Sequence, residues 1–368
     1  SQPIFRERRR ERHCARSMGR RRLGLAWFAT GARGLSLPGV CEYVAEAESA
    51  VSAVRRACLS AASVPVRGWT KEDASPVTVA DFASQAIVVA ALRRAFPGDA
   101  VIAEETAEGL RKCGAEDDVA RFAGTSVSEV YASLEERGPP LSPERRWVLD
   151  PIDGTRGFLR GDQYCVALAL IVGDAPVVSV IGAPNLSLSD DDDMITTGQK
   201  GKRGCLALAV AGQGAFVCCE GDDDWRPLRV SETKKKQEGN EGTPLTLVEG
   251  VESSHSDHGW ARAAVERIDA QPKVLQLDSQ AKAIVLADGR ADCFLRLPKR
   301  GYVEKIWDVA PAALLVQEAG GIFSDRRGRP IDWSLGGASL SPDVDGLAAA
   351  NPNLHPEIVR ALDATASY

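Results

Sequence analysis

The stretch Trp147-Val148-Leu149-Asp150-Pro151-Ile152-Asp153-Gly154-Thr155 constrains this chain more than any other. It reads as an apolar strand that stops at two carboxylates held by a proline on a tight loop. Proline fixes its own φ, and glycine permits the close approach of a ligand. Two acids so placed can share a divalent cation, and the exposed carbonyl of Ile152 can add another hard oxygen of the kind Mg²⁺ prefers. The N–H groups around Gly154 and Thr155 could then cradle a phosphate. Asp, Pro and Gly are also what ordinary turns use, so the reading depends on whether other acids converge on this loop.

The composition sets the frame. The chain has 368 residues, 44% of them hydrophobic and 26% charged, the balance of an ordinary soluble globular protein. Single cores stop growing beyond roughly 250–300 residues, so two lobes are expected. Lys and Arg number 45 against 51 Asp and Glu, and a net charge of -6 argues against a nucleic-acid polymer as partner. A small anionic ligand fits that balance. No apolar run approaches the roughly 20 residues that span a bilayer, so no membrane is expected, and the chain is read as a monomer. Nine cysteines are scattered without a C-x-x-C pair, which suggests a reducing compartment and free thiols that act as small buried hydrophobes. A redox switch is the alternative. Adjacent Cys218 and Cys219 must point to opposite faces of any strand they share.

Residues 6–22 are Arg-rich and are followed by the small, apolar Leu23-Gly24-Leu25-Ala26-Trp27-Phe28-Ala29-Thr30. This resembles an organelle transit peptide, for a chloroplast or a mitochondrion; read instead as an untargeted basic tail, it leaves the protein cytoplasmic. Residues 1–37 are therefore set apart from the fold. Helical spacing starts with Val40, Val44, Ala47, Val51 and Val54. A second helix is expected over 81–96, stopped by Pro97-Gly98. Residues 100–103 read as a short buried strand, and 113–143 as a polar, helix-like surface excursion. Strands over 165–172 and 177–182 flank the turn Gly173-Asp174-Ala175-Pro176, and two more are expected over 205–210 and 215–219. Residues 38–220 thus make an α+β lobe of helices on a largely antiparallel sheet. In 221–368, strand and helix patterns alternate, ending in a helix over 308–318 stopped by Gly320-Gly321. That alternation makes the second lobe α/β.

Other acids stand at the ends of these elements, where ligand sites are usually built. Asp81 follows Ser75-Pro76-Val77-Thr78 at a helix start, Glu104-Glu105 follows the strand at 100–103, and Asp308 opens a helix. Taken singly, Asp81 and Asp308 could be N-caps and the Glu pair a solvated one. In this order, acid, Glu-Glu, Asp-Pro-Ile-Asp-Gly-Thr and Trp-Asp, the constellation resembles the inositol monophosphatase-like superfamily. Ser75-Pro76-Val77-Thr78, Gly157-Phe158-Leu159-Arg160-Gly161, Gly182-Ala183-Pro184-Asn185-Leu186, Leu277-Asp278-Ser279-Gln280-Ala281-Lys282, Leu295-Arg296-Leu297-Pro298 and Glu304-Lys305-Ile306-Trp307-Asp308 resemble its 3'(2'),5'-bisphosphate nucleotidase branch.

The resemblance implies an αβαβα layered sugar-phosphatase-like fold of two lobes. It implies two to three Mg²⁺ ions held by Glu104, Asp150, Asp153, Asp308 and the Ile152 carbonyl, with Asp81 near the third. Thr155 and Asp81 would orient the attacking water, and Gly154 and Thr155 would contact the phosphate. Ser279, Lys282, Arg296 and His255, in the second lobe, would bind a bisphosphorylated nucleotide, although His258 is close enough in sequence to take the place of His255. The implied substrate is 3'-phosphoadenosine 5'-phosphate, with its 5'-phosphosulfate a second candidate, as in sulfur metabolism, and the implied enzyme is sensitive to lithium. An inositol polyphosphate 1-phosphatase acting on inositol 1,4-bisphosphate would use the same metals. A catalytically inactive nucleotide or redox sensor is disfavoured, because every expected metal ligand is present. The chain departs from the family pattern with Ala103 for Gly, with Val309-Ala310-Pro311 after the Trp-Asp, where proline is acceptable only in a helix's first turn, with a short loop after Pro298, and with the acidic run Asp190-Asp191-Asp192-Asp193, read as a solvated loop.

Overall fold

A computed structural model describes residues 42–72, 75–135, 144–188, 204–220, 222, 224–233, 244–251, 258–268, 271–298, 302–335 and 337–365. The Arg-rich segment, the acidic run at 190–193 and His255 lie outside the described residues. The first helix, α1 (Val44–Ser63), buries the Ala47, Ala50, Val54, Ala57 and Ala61 stripe. A short hairpin, β1 (Gly68–Thr70) and β2 (Pro76–Thr78), leads into α2 (Val79–Ala95). This helix starts two residues before Asp81, because Thr78 caps it and Asp81 closes a capping box from the third helical position. It ends at Phe96, ahead of Pro97.

After β3 (Ala100–Ala103), the polar excursion resolves into three capped helices, α3 (Ala107–Cys113), α4 (Glu116–Ala123) and α5 (Val127–Leu134). Then follow β4 (Arg145–Asp153), α6 (Thr155–Arg160), β5 (Cys165–Val172), β6 (Ala175–Ala183), β7 (Cys205–Val210), β8 (Gly214–Cys219) and the two-residue β9 (Arg226–Pro227). Strands β3 to β9 form one sheet in sequence order, antiparallel throughout except for the parallel pair β3 and β4.

The rest of the chain alternates as expected, through β10 (Thr246–Glu249), α7 (His258–Glu266), β11 (Lys273–Gln276), α8 (Ala281–Ala287), β12 (Cys293–Arg296) and α9 (Ile306–Glu318). It adds three elements that the sequence pattern did not disclose: β13 (Ile322–Asp325), β14 (Leu347–Ala350) and α10 (His355–Thr365). The second sheet has the order β11-β10-β12-β14-β13, parallel on one side and antiparallel on the other.

Strand alternation builds the layers. In β5, Val166, Leu168 and Leu170 join the core beneath α1 and α2, whereas Cys165, Ala167 and Ala169 join a second core with α8 and α9. In β14, Leu347 and Ala349 face that same middle layer, while Ala348 and Ala350 pack with α7 and α10. The result is the αβαβα sandwich, with α8 and α9 shared between both sheets. Among the described residues, no helix is long and apolar enough to cross a membrane.

Two expectations need correction. Cys205 and Cys219 stand directly opposite each other on β7 and β8 and form a disulfide, so not all the cysteines are free thiols. Strand pairing brought together two residues whose sequence spacing carried no signal. Cys218 does point to the opposite face, into the α1 and α2 core. Pro311 lies inside α9 in its second turn, not its first, because the helix begins at Ile306.

Candidate active site

Asp150 and Asp153 are three residues apart, and a regular strand would send them to opposite faces. Instead the register against β5 shifts, with Asp150 opposite Ala167 and Asp153 opposite Cys165. A β-bulge here absorbs one extra residue and turns both carboxylates toward the second lobe. The Ile152 N–H donates to Asp150 Oδ1 at 3.1 Å, and the Gln280 N–H donates to Asp153. Gly154 then takes a φ of 82°, and a Cβ there would lie 3.0 Å from that of Ser279, so both the backbone turn and the close approach of the two segments require glycine.

The next residue ties this loop to α2. Thr155 Oγ1 lies 3.2 Å from Asp81 Oδ1 and 3.1 Å from the Ile152 carbonyl. The other Asp81 oxygen accepts from the Thr78 N–H at 2.8 Å and the Thr78 hydroxyl at 2.6 Å. Asp81 therefore completes a capping box with one oxygen and faces the site with the other, so the capping and functional readings hold together.

Two side-chain cations lie on the remaining acids. Lys71 Nζ reaches Glu104 at 2.8 Å and Glu105 at 2.5 Å. Arg296 Nη2 is 3.2 Å from Asp308, and its Nε is 3.0 Å from Glu304. The Tyr302 hydroxyl is 3.3 Å from the same guanidinium. The Glu pair is not equally solvated, since Glu105 is buried while Glu104 faces the site.

The charges repel, and burial sharpens the effect. Desolvation first, then Glu104, Asp153 and Asp308, push the Asp150 carboxyl well above the ordinary range. Asp153 is raised to about 6 by burial and Asp308, against the pull of Lys282 and Arg296. Asp81 is raised to about 7, chiefly by burial, with Lys71 opposing. Glu304 is likewise raised to about 7 by burial, with Arg296 opposing. Such a cluster calls for added positive charge. Among the described residues, no group of three or more His, Cys, Asp or Glu side chains is arranged to hold a metal ion as it stands. Lys71 and Arg296 occupy part of that space. Still, Glu104, Asp150, Asp153, Asp308 and the Ile152 carbonyl make an all-oxygen donor set, and a hard divalent cation that keeps several of its waters needs no closed protein cage.

Ser279, Lys282 and Arg296 come together with Asp153 and Asp308 around one narrow cavity. Its inner wall is apolar, made by Leu286, Phe294, Val316 and Phe323. Lys282 curls back and donates to the Leu277 and Ser279 carbonyls at 3.3 and 2.6 Å. Burial lowers its pKa, with Asp153 opposing. His258, the alternative to His255, lies 3.6 Å from buried Glu249. The sequence assigns no role to Lys71, Gln280 or Glu304: the last two lie inside the motifs that carry the family resemblance, whereas Lys71 carries no signal at all.

The sequence profile described as the inositol monophosphatase family matches residues 41–366. A protein named 3'(2'),5'-bisphosphate nucleotidase 2 from Candida albicans is 36% identical over 352 residues, covering 87% of this chain and 97% of its own. The 3'(2'),5'-bisphosphate nucleotidase of Schizosaccharomyces pombe is 34% identical, covering 88% and 96%. Among solved structures, an inositol monophosphatase from Anabaena aligns with a TM-score of 0.55 at 22% identity, over 87% of this chain and 95% of that one. The extragenic suppressor protein suhB from Bartonella henselae aligns at 0.57 and 22%, over 86% and 96%. These two establish the shared fold.

Proposed function

The chain belongs to the inositol monophosphatase family, and from that premise we propose that it is a Mg²⁺-dependent phosphomonoesterase that removes the 3'-phosphate of 3'-phosphoadenosine 5'-phosphate, leaving AMP and phosphate. The observation that carries the reading is the Thr155 hydroxyl, seated between Asp81 and the Ile152 carbonyl beside the Asp150 and Asp153 carboxylates. The choice of a nucleotide rests on relatives named bisphosphate nucleotidases that cover most of this chain.

Glu104, Asp150, Asp153, Asp308 and the Ile152 carbonyl would hold Mg²⁺, with Asp81 at the edge of the set. Bound there, the ions supply positive charge for the transferring phosphoryl group and the leaving oxygen. Thr155 orients the attacking water through its hydroxyl oxygen, and Asp81 accepts the proton at Oδ1, the oxygen not committed to the helix cap. Lys282 and Arg296 stabilise the remaining phosphate from the second lobe.

Phosphate release from 3'-phosphoadenosine 5'-phosphate, its phosphosulfate analogue and inositol 1,4-bisphosphate, with Mg²⁺ and with excess chelator, tests the proposal. The first substrate should be turned over fastest, and only with Mg²⁺. Faster release from the inositol substrate would favour the polyol reading, and full activity in chelator would overturn the metal assignment. Thr155→Val should lower kcat by about 10²–10⁴-fold, the usual contribution of positioned acid–base groups, while Mg²⁺ affinity measured by calorimetry is kept. An unchanged kcat would mean that another group orients the water.

A further inference from the structure

Pro311 has no N–H, and in an unbroken helix residue 311 would donate to the carbonyl of Trp307, four residues back. Trp307 directly precedes Asp308, and both lie in the first turn of α9. The carbonyl deprived of its partner is nevertheless satisfied. Gln280 Nε2 donates to the Trp307 carbonyl at 3.1 Å, and Gln280 Oε1 accepts the Ala312 N–H at 3.1 Å. A carbonyl only accepts and an N–H only donates, so the amide has a single orientation that serves both. The side chain is buried, at 6% exposure, so water does not compete.

The same residue reaches the other half of the site. Its backbone N–H donates to Asp153. It follows Ser279, whose φ of 64° is the only positive value outside glycine among the described residues. A non-glycine residue persists in that region only where its surroundings over-determine it. Gln280 is thus held by its backbone to the β4 bulge and by its side chain to α9.

We propose that Gln280 is a positioning residue whose side-chain amide replaces the hydrogen bond that Pro311 removes from α9, so that Asp308 is fixed relative to Asp153. The part concerning metal rests on the proposed roles of those two aspartates; the part concerning the helix does not.

Gln280→Met keeps the length of the side chain and removes its donor and acceptor, whereas Pro311→Ala restores the backbone N–H. Two measurements on these variants and the double variant, in the full chain, separate the two parts. In metal-free protein, amide exchange in the peptide spanning 306–312 should speed up by about tenfold in Gln280→Met and return to within about threefold of wild type in Gln280→Met/Pro311→Ala. Calorimetric Mg²⁺ titration without substrate should show the same pattern, with affinity weakened about tenfold in the single variant and recovered in the double. Equal losses with and without Pro311, or no loss in Gln280→Met, would overturn the proposal. Restored exchange with unchanged Mg²⁺ affinity in every variant would overturn the link to Asp308. Should wild type bind no Mg²⁺ while exchange follows the expected pattern, the metal reading fails and the helix repair stands. If Gln280→Met does not fold, folding of the double variant supports the repair, and failure of both overturns it.

Discussion

Asp153→Asn is expected to reduce phosphatase turnover by about 10²–10³-fold, the scale on which loss of one electrostatic stabiliser is felt. The replacement is nearly isosteric, and its amide oxygen can still accept the Gln280 N–H. What it removes is a charge. In the metal-free protein that charge is unfavourable, since burial and Asp308 both raise the Asp153 pKa. The variant should therefore melt at the same temperature as the parent or higher in chelator, and should gain less stability from added Mg²⁺. Loss of turnover with a lowered melting temperature would instead mean that Asp153 serves the fold, and full turnover would remove it from the metal set.

Arg296→Ala should raise KM for 3'-phosphoadenosine 5'-phosphate by about ten- to a hundredfold, because charge-assisted hydrogen bonds contribute about 1.5–3 kcal/mol and 1.4 kcal/mol is a factor of ten. A monophosphorylated nucleotide should lose much less. The structure adds a second signature. Arg296 lies on Asp308 and Glu304, so any cation bound at Asp308 has to compete with the guanidinium. Removing the arginine should leave Mg²⁺ affinity unchanged or improved while the bisphosphate is lost. Parallel kinetics on both substrates, with a Mg²⁺ titration, decide the matter: equal losses on both, or weakened Mg²⁺ binding, would mean that Arg296 supports the fold or the metal ligands.

Elements with a strong local signal were legible. Pro97-Gly98 marks the end of α2, the alternating and apolar runs mark β5 to β8, and the αβαβα layering followed from the family resemblance. The acids were legible because each stands where one element ends and another starts. Long-range contacts were not. The cross-strand disulfide joins residues that only the β7 and β8 register makes opposite. Lys71 meets Glu104 and Glu105 across more than thirty residues, and Gln280 meets Trp307 across 27. Pro311 was readable as a departure, yet its remedy was not, since a glutamine in a helix cap says nothing of which carbonyl it will satisfy.

The bulge in β4 makes this site a matter of parity. Side chains on a strand alternate, so each residue added or removed exchanges the two faces of everything beyond it. Between Asp150 and Asp153 the count is what holds both carboxylates on the side of the second lobe. Shortening the segment by one residue would turn one of them toward Leu149 and Leu168, into the hydrocarbon beneath α1 and α2, where an unpaired charge is poorly tolerated. Pro151 and Ile152 contribute the one extra step along the chain and one carbonyl, while the Ile152 side chain is buried in the core beneath α1 and α2. Along this segment, then, length is constrained as tightly as composition: one residue more or fewer would part the two carboxylates while leaving the strands on either side free to pair.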